Sequence, residues 1–211
     1  MSQPRHMRWL DSGSDAVKQV QGVKRVVKVG GSLLRLADLP NRLEQWLARQ
    51  APATTLLVVG GGRLVDTIRE QQQAWGYPDE LAHLLALRGM DLNARQLAAA
   101  CSQILLVREW VPEIELSPGR TSVIECGEWV AGEPVFERSW RTTSDSIAAE
   151  IANQVDASEL VLLKSALPAE ATNRLEYVDP LFTKHWSPRV KVRLVNLASE
   201  DWMECPLREQ E

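Results

Sequence analysis

The run TTLLVVGGG (54–62) is apolar from Leu56 through Val59 and then breaks into three glycines. A strand that is apolar on both faces must be covered on both faces, which is the condition of a parallel sheet between helical layers. The character recurs in RVVKVG (25–30), QILLV (103–107), ELVLLKS (159–165) and VKVRLVNL (190–197), the last read as the final strand. Between these runs the period changes from two to about 3.6 residues. LPNRLEQWLARQ (39–50) places Leu39, Leu43, Trp46 and Leu47 on one helical stripe, with Pro40 near its start. RLVDTIREQQQAW (63–75) spaces Leu64, Ile68 and Trp75 as a helix, and Trp46 and Trp75 read as core. ELAHLLALRGMDLNARQLAAAC (80–101) predicts a long helix weakened at Gly89, and TTSDSIAAEIANQV (142–155) another. Residues 108–140 are less regular, with TSVIEC (121–126) a short strand candidate. The expectation is an α/β fold with a mainly parallel central sheet.

The bulk numbers narrow the partners. A chain of 211 residues supports one ordinary core. We expect a polar arm at 1–22, a single domain at 23–204 and a polar tail at 205–211. Net charge −4 and an isoelectric point near 5.5 disfavour nucleic acid, whose phosphates demand a basic face. No apolar run approaches the roughly 20 residues that span a bilayer, and the first residues lack the apolar segment of a secretory signal. Cys101, Cys126 and Cys205 are odd in number and unpaired by motif, which fits free thiols in a reducing cytoplasm. His6, His83 and His185 are too scattered for a metal site, so no bound metal is predicted from spacing.

In a parallel sheet, ligands sit outside the C-terminal strand ends. Three strands end there in unusual chemistry: Gly30–Gly31–Ser32, Gly60–Gly61–Gly62 and Lys164–Ser165. Glycines between a strand and a helix let backbone amides approach an anion; the plain alternative is a tight turn. Neither loop completes G-x-G-x-x-G, and G-x-x-x-x-G-K-[ST] is absent, which disfavours an oxidoreductase on a dinucleotide fold and a P-loop enzyme. Lys28 stands in a Val-rich strand, where a lysine either snorkels to water or meets an anion. Lys164 repeats the arrangement, and two such lysines suit a transferring phosphoryl group. Thr143 or Ser144 caps the next helix, leaving Asp145 in its first turn either as a capping charge or as the acid that orients the lysines. His83, Arg88, Asp91 and Arg95 are polar residues in a Leu- and Ala-rich helix, with an Asp91–Arg95 surface pair as the ordinary reading. Arg63 follows the triple glycine and faces either a phosphate or water. Trp140 is a candidate pocket wall.

The ordered set VVKVGGSLL, LLVVGGGRLVDTIRE, TTSDSIAAEIA and LVLLKS, with YVDPLF (177–182) as a weaker match, resembles the amino acid kinase family. That group contains acetylglutamate, aspartate, uridylate, carbamate and isopentenyl phosphate kinases. His83, Ala86, Met90 and Asp91, with SWRTTSDSIAA, look most like the branch acting on aminomethylfuran phosphate in one-carbon coenzyme biosynthesis. The resemblance implies a three-layer α/β/α sandwich of the carbamate kinase type, ATP with Mg²⁺, and phosphoryl transfer to a carboxylate or phosphate without a covalent intermediate. It implies that Lys28, Asp145 and Lys164 are catalytic, that Gly30, Gly31, Ser32, Lys164 and Ser165 hold nucleotide phosphates, and that Gly60, Gly61, Gly62, Arg63, His83, Asp91, Thr143 and Ser144 meet the acceptor. A homodimer is the implied assembly. Two departures stand out: relatives continue into Asp-x-x-Gly where this chain reads SALPAEA (165–171), and no Gly-Gly-Met segment follows. Either Lys164 replaces the missing nucleotide lysine, or nucleotide binding is altered or lost, leaving a non-catalytic anion-binding relative as the alternative.

Overall fold

Alternation of side chains across each strand is what builds this molecule. In a computed structural model, which describes residues 24–113, 116–167 and 174–207, it sorts apolar residues onto two faces. The elements are β1 (Lys24–Val29), a 3₁₀ turn (Gly31–Arg35), α1 (Leu39–Ala48), β2 (Thr54–Val59), α2 (Gly62–Trp75) and α3 (Asp79–Ala100). They continue with β3 (Ile104–Val107), β4 (Thr121–Ile124), α4 (Gly127–Gly132), α5 (Ser144–Gln154) and β5 (Glu159–Lys164). A 3₁₀ turn (Arg174–Tyr177), α6 (Phe182–His185), β6 (Lys191–Asn196) and β7 (Glu204–Leu207) complete them. The arm expected at 1–22 lies outside the described residues.

The strands form one sheet in the order β3-β4-β2-β1-β5-β6-β7. All neighbours are parallel except β6 and β7. Val26, Leu56, Val58, Leu160 and Leu162 face one layer with α5 and Phe182 of α6. Val27, Val29, Leu57, Val59, Val161 and Leu163 face the opposite layer with Leu39, Leu43 and Trp46 of α1. Helix α3 serves both cores, giving Leu87 and Met90 to the first and Ala94 and Leu97 to the second. The fold is the expected α/β class with cover on both sheet faces.

Two expectations need correcting. VKVRLVNL is not the final strand: Glu204–Leu207 adds antiparallel to it, with Val195 opposite Glu204 and Val192 opposite Leu207. The sheet therefore runs into the segment read as tail. Four residues containing Pro206 carry too short a pattern to announce a strand, and an edge is where proline is tolerated. A glutamate helps fix this side of the sheet: Glu159 accepts from Arg25 at 2.6 Å and from Arg193 at 2.8 Å, while Arg193 also reaches Glu204 at 2.6 Å.

Trp46 is core, as read, but Trp75 is 72% exposed. It ends α2, a helix without one fully buried residue. That helix packs mainly against α3 and the first 3₁₀ turn, so its apolar stripe is only half covered. Gly89 makes the approach close, because a Cβ there would sit 3.2 Å from Val65 Cγ2. Among the described residues no helix is long and apolar enough to cross a membrane.

Candidate active site

Lys28 and Lys164 reach the same face of the sheet through strand parity. Lys28 shares the face of Val26, and Lys164 that of Leu162. Lys28 lies opposite Leu162 in the parallel register, so Lys164 stands two residues further along the adjacent strand. The first turn of α5 packs over both. Lys28 Nζ lies 2.8 Å from Asp145 Oδ1, and Lys164 Nζ lies 2.6 Å from Asp145 Oδ2. The Lys164 contact is an aligned hydrogen bond. The Lys28 contact is a close ion pair that leaves Oδ1 without one. Two positive charges thus share one carboxylate, and all three groups are largely buried.

Burial pushes the Asp145 carboxyl up, but the ammonium groups of Lys28 and Lys164 outweigh it and hold the pKa below the ordinary value. For Lys164 burial wins. With repulsion from Lys28 it brings the ammonium down to about 8, against the pull of Asp145 and Asp179. The two ammonium groups thus meet one carboxylate at contact distance, with Asp179 adding negative charge on the Lys164 side.

The glycine loops are held by each other before any ligand is considered. Gly30 N donates to Leu163 O at 2.9 Å, and a Cβ at Gly30 would sit 2.7 Å from that oxygen. A Cβ at Gly31 would lie 2.4 Å from Gly62 N, and one at Gly60 would lie 2.8 Å from Gly31 N and 3.1 Å from Ser144 Oγ. Gly62 adopts φ +52°, which favours glycine. The two turns therefore pack backbone on backbone beside the lysines. Asn93 of α3 secures them, donating to Gly60 O and Gly61 O at 2.8 Å each. Ser32 and Ser165 join their hydroxyls at 2.8 Å across the ends of β1 and β5.

The remaining candidates divide. Thr143 is the N-cap of α5 and accepts from Asp145 N at 3.3 Å; Ser144 lies buried against Gly60. Arg63 is exposed. His83 and Asp91 are buried, and the contacts they make lead elsewhere. His83 meets the backbone of Ser139, with burial lowering its pKa. Asp91 accepts from Gly127 N at 3.0 Å, with burial raising its pKa. The expected Asp91–Arg95 pair is replaced: Arg95 grips Glu125 through two bonds of 2.8 and 2.6 Å. Asp91, Arg95 and Glu125 line a cavity of about 660 Å³ beyond β3 and β4, together with Arg88, Trp110 and Trp129. Trp140 donates to Gln72 at 2.5 Å and carries Arg69 4.3 Å above its ring, so it is fastened to α2.

Two polar residues escaped sequence reasoning. Asn93 is a neutral amide in a helix whose charged residues carry the stronger sequence signal. Asp179 lies in YVDPLF, far from α5 in the chain, yet its carboxylate reaches Thr143 and Ser146. Its signals were the weaker family match of that segment and an acid preceding proline, which ordinarily marks a turn.

An open, mainly parallel sheet with its charged residues gathered at the C-terminal rim defines the class. The chain belongs to the amino acid kinase family, whose profile matches residues 24–166. It is 23% identical over 141 residues to the [5-(aminomethyl)furan-3-yl]methyl phosphate kinase of Methanocaldococcus jannaschii. That match covers 65% of this chain and 63% of the relative, so less than two thirds of the curated protein is spanned. Uridylate kinase from Archaeoglobus fulgidus superposes with a TM-score of 0.56 at 17% identity, over 81% of this chain and 89% of that one. UMP kinase from Ureaplasma parvum gives 0.62 at 14% identity, over 85% and 92%. At such identities the likeness is one of fold.

Proposed function

We propose that this chain is a phosphotransferase that moves the terminal phosphoryl group of ATP to a small oxyanion acceptor. The observation that carries the reading is the buried pair of ammonium groups sharing Asp145 at 2.8 and 2.6 Å. Phosphoryl transfer asks a protein mainly for positioning and for charge opposite the equatorial oxygens. Lys28 and Lys164 supply that charge, and Asp145 holds both in place without being a nucleophile. Among the described residues no three acids, histidines or cysteines gather as a metal cage. Mg²⁺ would therefore ride on the nucleotide phosphates, where it neutralises charge, and the lysine pair fits the anion that remains. The Ser32–Ser165 rim lies at the same end of the sheet, while the Gly30 amide is already bonded to Leu163 O.

The relative's printed substrate makes an aminomethylfuran phosphate, a phosphate acceptor for one-carbon coenzyme chemistry, the first candidate to test. We place the reaction in the cytoplasm, where three free thiols stay reduced. The working unit is proposed to be a homodimer, because α3 leaves Leu81, Leu84, Leu85 and Leu92 exposed.

Calorimetric titration with Mg-ATP, followed by transfer of labelled phosphate to that acceptor, tests the reading. Saturable binding and acceptor-dependent transfer are expected. Absence of binding at millimolar ATP would favour the second reading, a non-catalytic anion-binding relative, which the missing Gly-Gly-Met segment supports.

A further inference from the structure

Asp179 makes contacts out of proportion to its place in a connecting segment. Its Oδ2 accepts from Thr143 Oγ1 at 2.7 Å, from Ser146 N at 2.9 Å and from Ser146 Oγ at 2.7 Å. Its Oδ1 accepts from Leu181 N at 2.9 Å, which fixes the carboxylate relative to its own turn. The residues it binds flank Asp145 on both sides, at the N-cap and third positions of α5. Thr143 and Ser146 also close on each other, Thr143 N donating to Ser146 Oγ at 3.4 Å. Both hydroxyls are thereby committed, and Ser146 is wholly buried. A helix start needs one cap, and this one has its own cap plus an acid from a different element.

We propose that Asp179 is a positioning residue for phosphoryl transfer: it clamps the Thr143–Ser146 turn so that Asp145 stands between Lys28 and Lys164. The assignment rests on the kinase reading above and deepens it. Among the described residues the Asp145 side chain is held only by its two lysines, so the turn decides where its two oxygens fall. Loss of the clamp would let Asp145 follow one lysine and release the other. The charged groups facing Lys164 among the described residues are Lys28 from β1, Asp145 from α5 and Asp179 from the turn ahead of α6. Asp179 raises the affinity of Lys164 for its proton, so the same carboxylate also favours the charged ammonium.

The test is Asp179→Asn in the full chain, with Ser146→Ala as a milder second variant that removes the hydroxyl but keeps the carboxylate. We expect kcat to fall about 10–100-fold with KM for Mg-ATP changed less than about threefold, the signature of misplaced machinery and not of lost binding. The alkaline limb of the kcat profile should move to lower pH in Asp179→Asn, because one negative charge near Lys164 is gone. Asp179→Glu should restore part of the rate. Carbon-13 methyl labelling of the lysines reads the Lys164 pKa by NMR without turnover, and it should fall in Asp179→Asn. If both variants lower the melting temperature but leave kcat, the pH limb and the Lys164 titration where they were, Asp179 is only a structural cap and the proposal is overturned. If the wild type transfers no phosphate while Ser146→Ala, which keeps the Asp179 charge, still shifts the Lys164 titration, the clamp stands and the kinase reading falls.

Discussion

At the residue scale the decisive quantity is the charge count in a buried cluster. Lys28→Met removes one of two ammonium groups and leaves Asp145 matched one to one with Lys164, at 2.6 Å. The fold should survive this change, with transfer falling about 10³-fold or more, because a preorganised charge at the reacting phosphoryl is lost. Asp145→Asn removes the carboxylate that both lysines contact and leaves Lys164 only Asp179 nearby, and breaking a buried pair costs about 3–5 kcal/mol. Urea unfolding at neutral pH should therefore rank Asp145→Asn well below Lys28→Met. If Lys28→Met keeps wild-type turnover, the catalytic assignment fails.

Lys164 gives a second residue-scale prediction. Its pKa in the folded chain is about 8, below the ordinary 10.5. Above about pH 8 the folded form loses this proton while the unfolded form keeps it, so unfolding takes up a proton. The contribution of Lys164 to stability must then rise with pH between about 8 and 10.5. Activity should fall over the same range as the ammonium is neutralised. The difference in urea stability between wild type and Lys164→Met, followed across that window, isolates the effect. A difference that stays flat would show that burial does not depress this lysine.

Elements matter here chiefly at their ends. The turns after β1 and β2 are glycine-rich because each occupies the space a side chain of the other would need. Gly31→Ala should cost about 1–3 kcal/mol, since its Cβ would press on the Gly62 backbone at 2.4 Å and backbone yields poorly. Gly89→Ala puts its Cβ 3.2 Å from a Val65 methyl, a contact a few tenths of an ångström can relieve. The gain in helix propensity of about 1 kcal/mol offsets that contact. Chemical denaturation should separate the two variants clearly. The glycine signal in the sequence was thus legible, while its cause was mutual packing of two turns that lie far apart in the chain.

For the whole molecule, α3 is the element whose outward side is least settled. Leu81, Leu84, Leu85 and Leu92 are exposed together along it. Sedimentation velocity on the wild type and on Leu85→Glu should give a dimer and a monomer respectively; a wild-type monomer at micromolar concentration would dismiss the assembly. The sequence by itself determined the layered α/β class, the strands that carry Lys28 and Lys164, and the helix start that carries Asp145. These follow from local rules: side-chain period, caps and glycine after a strand. Only the tertiary structure decided that β1 and β5 are neighbours and that α5 drops its carboxylate between their lysines. It also brought Asp179 from the turn ahead of α6 to the start of α5, added β7 as the edge strand and left Trp75 outside. Register, strand order and helix docking depend on partners distant in the chain, and no local pattern encodes that distance.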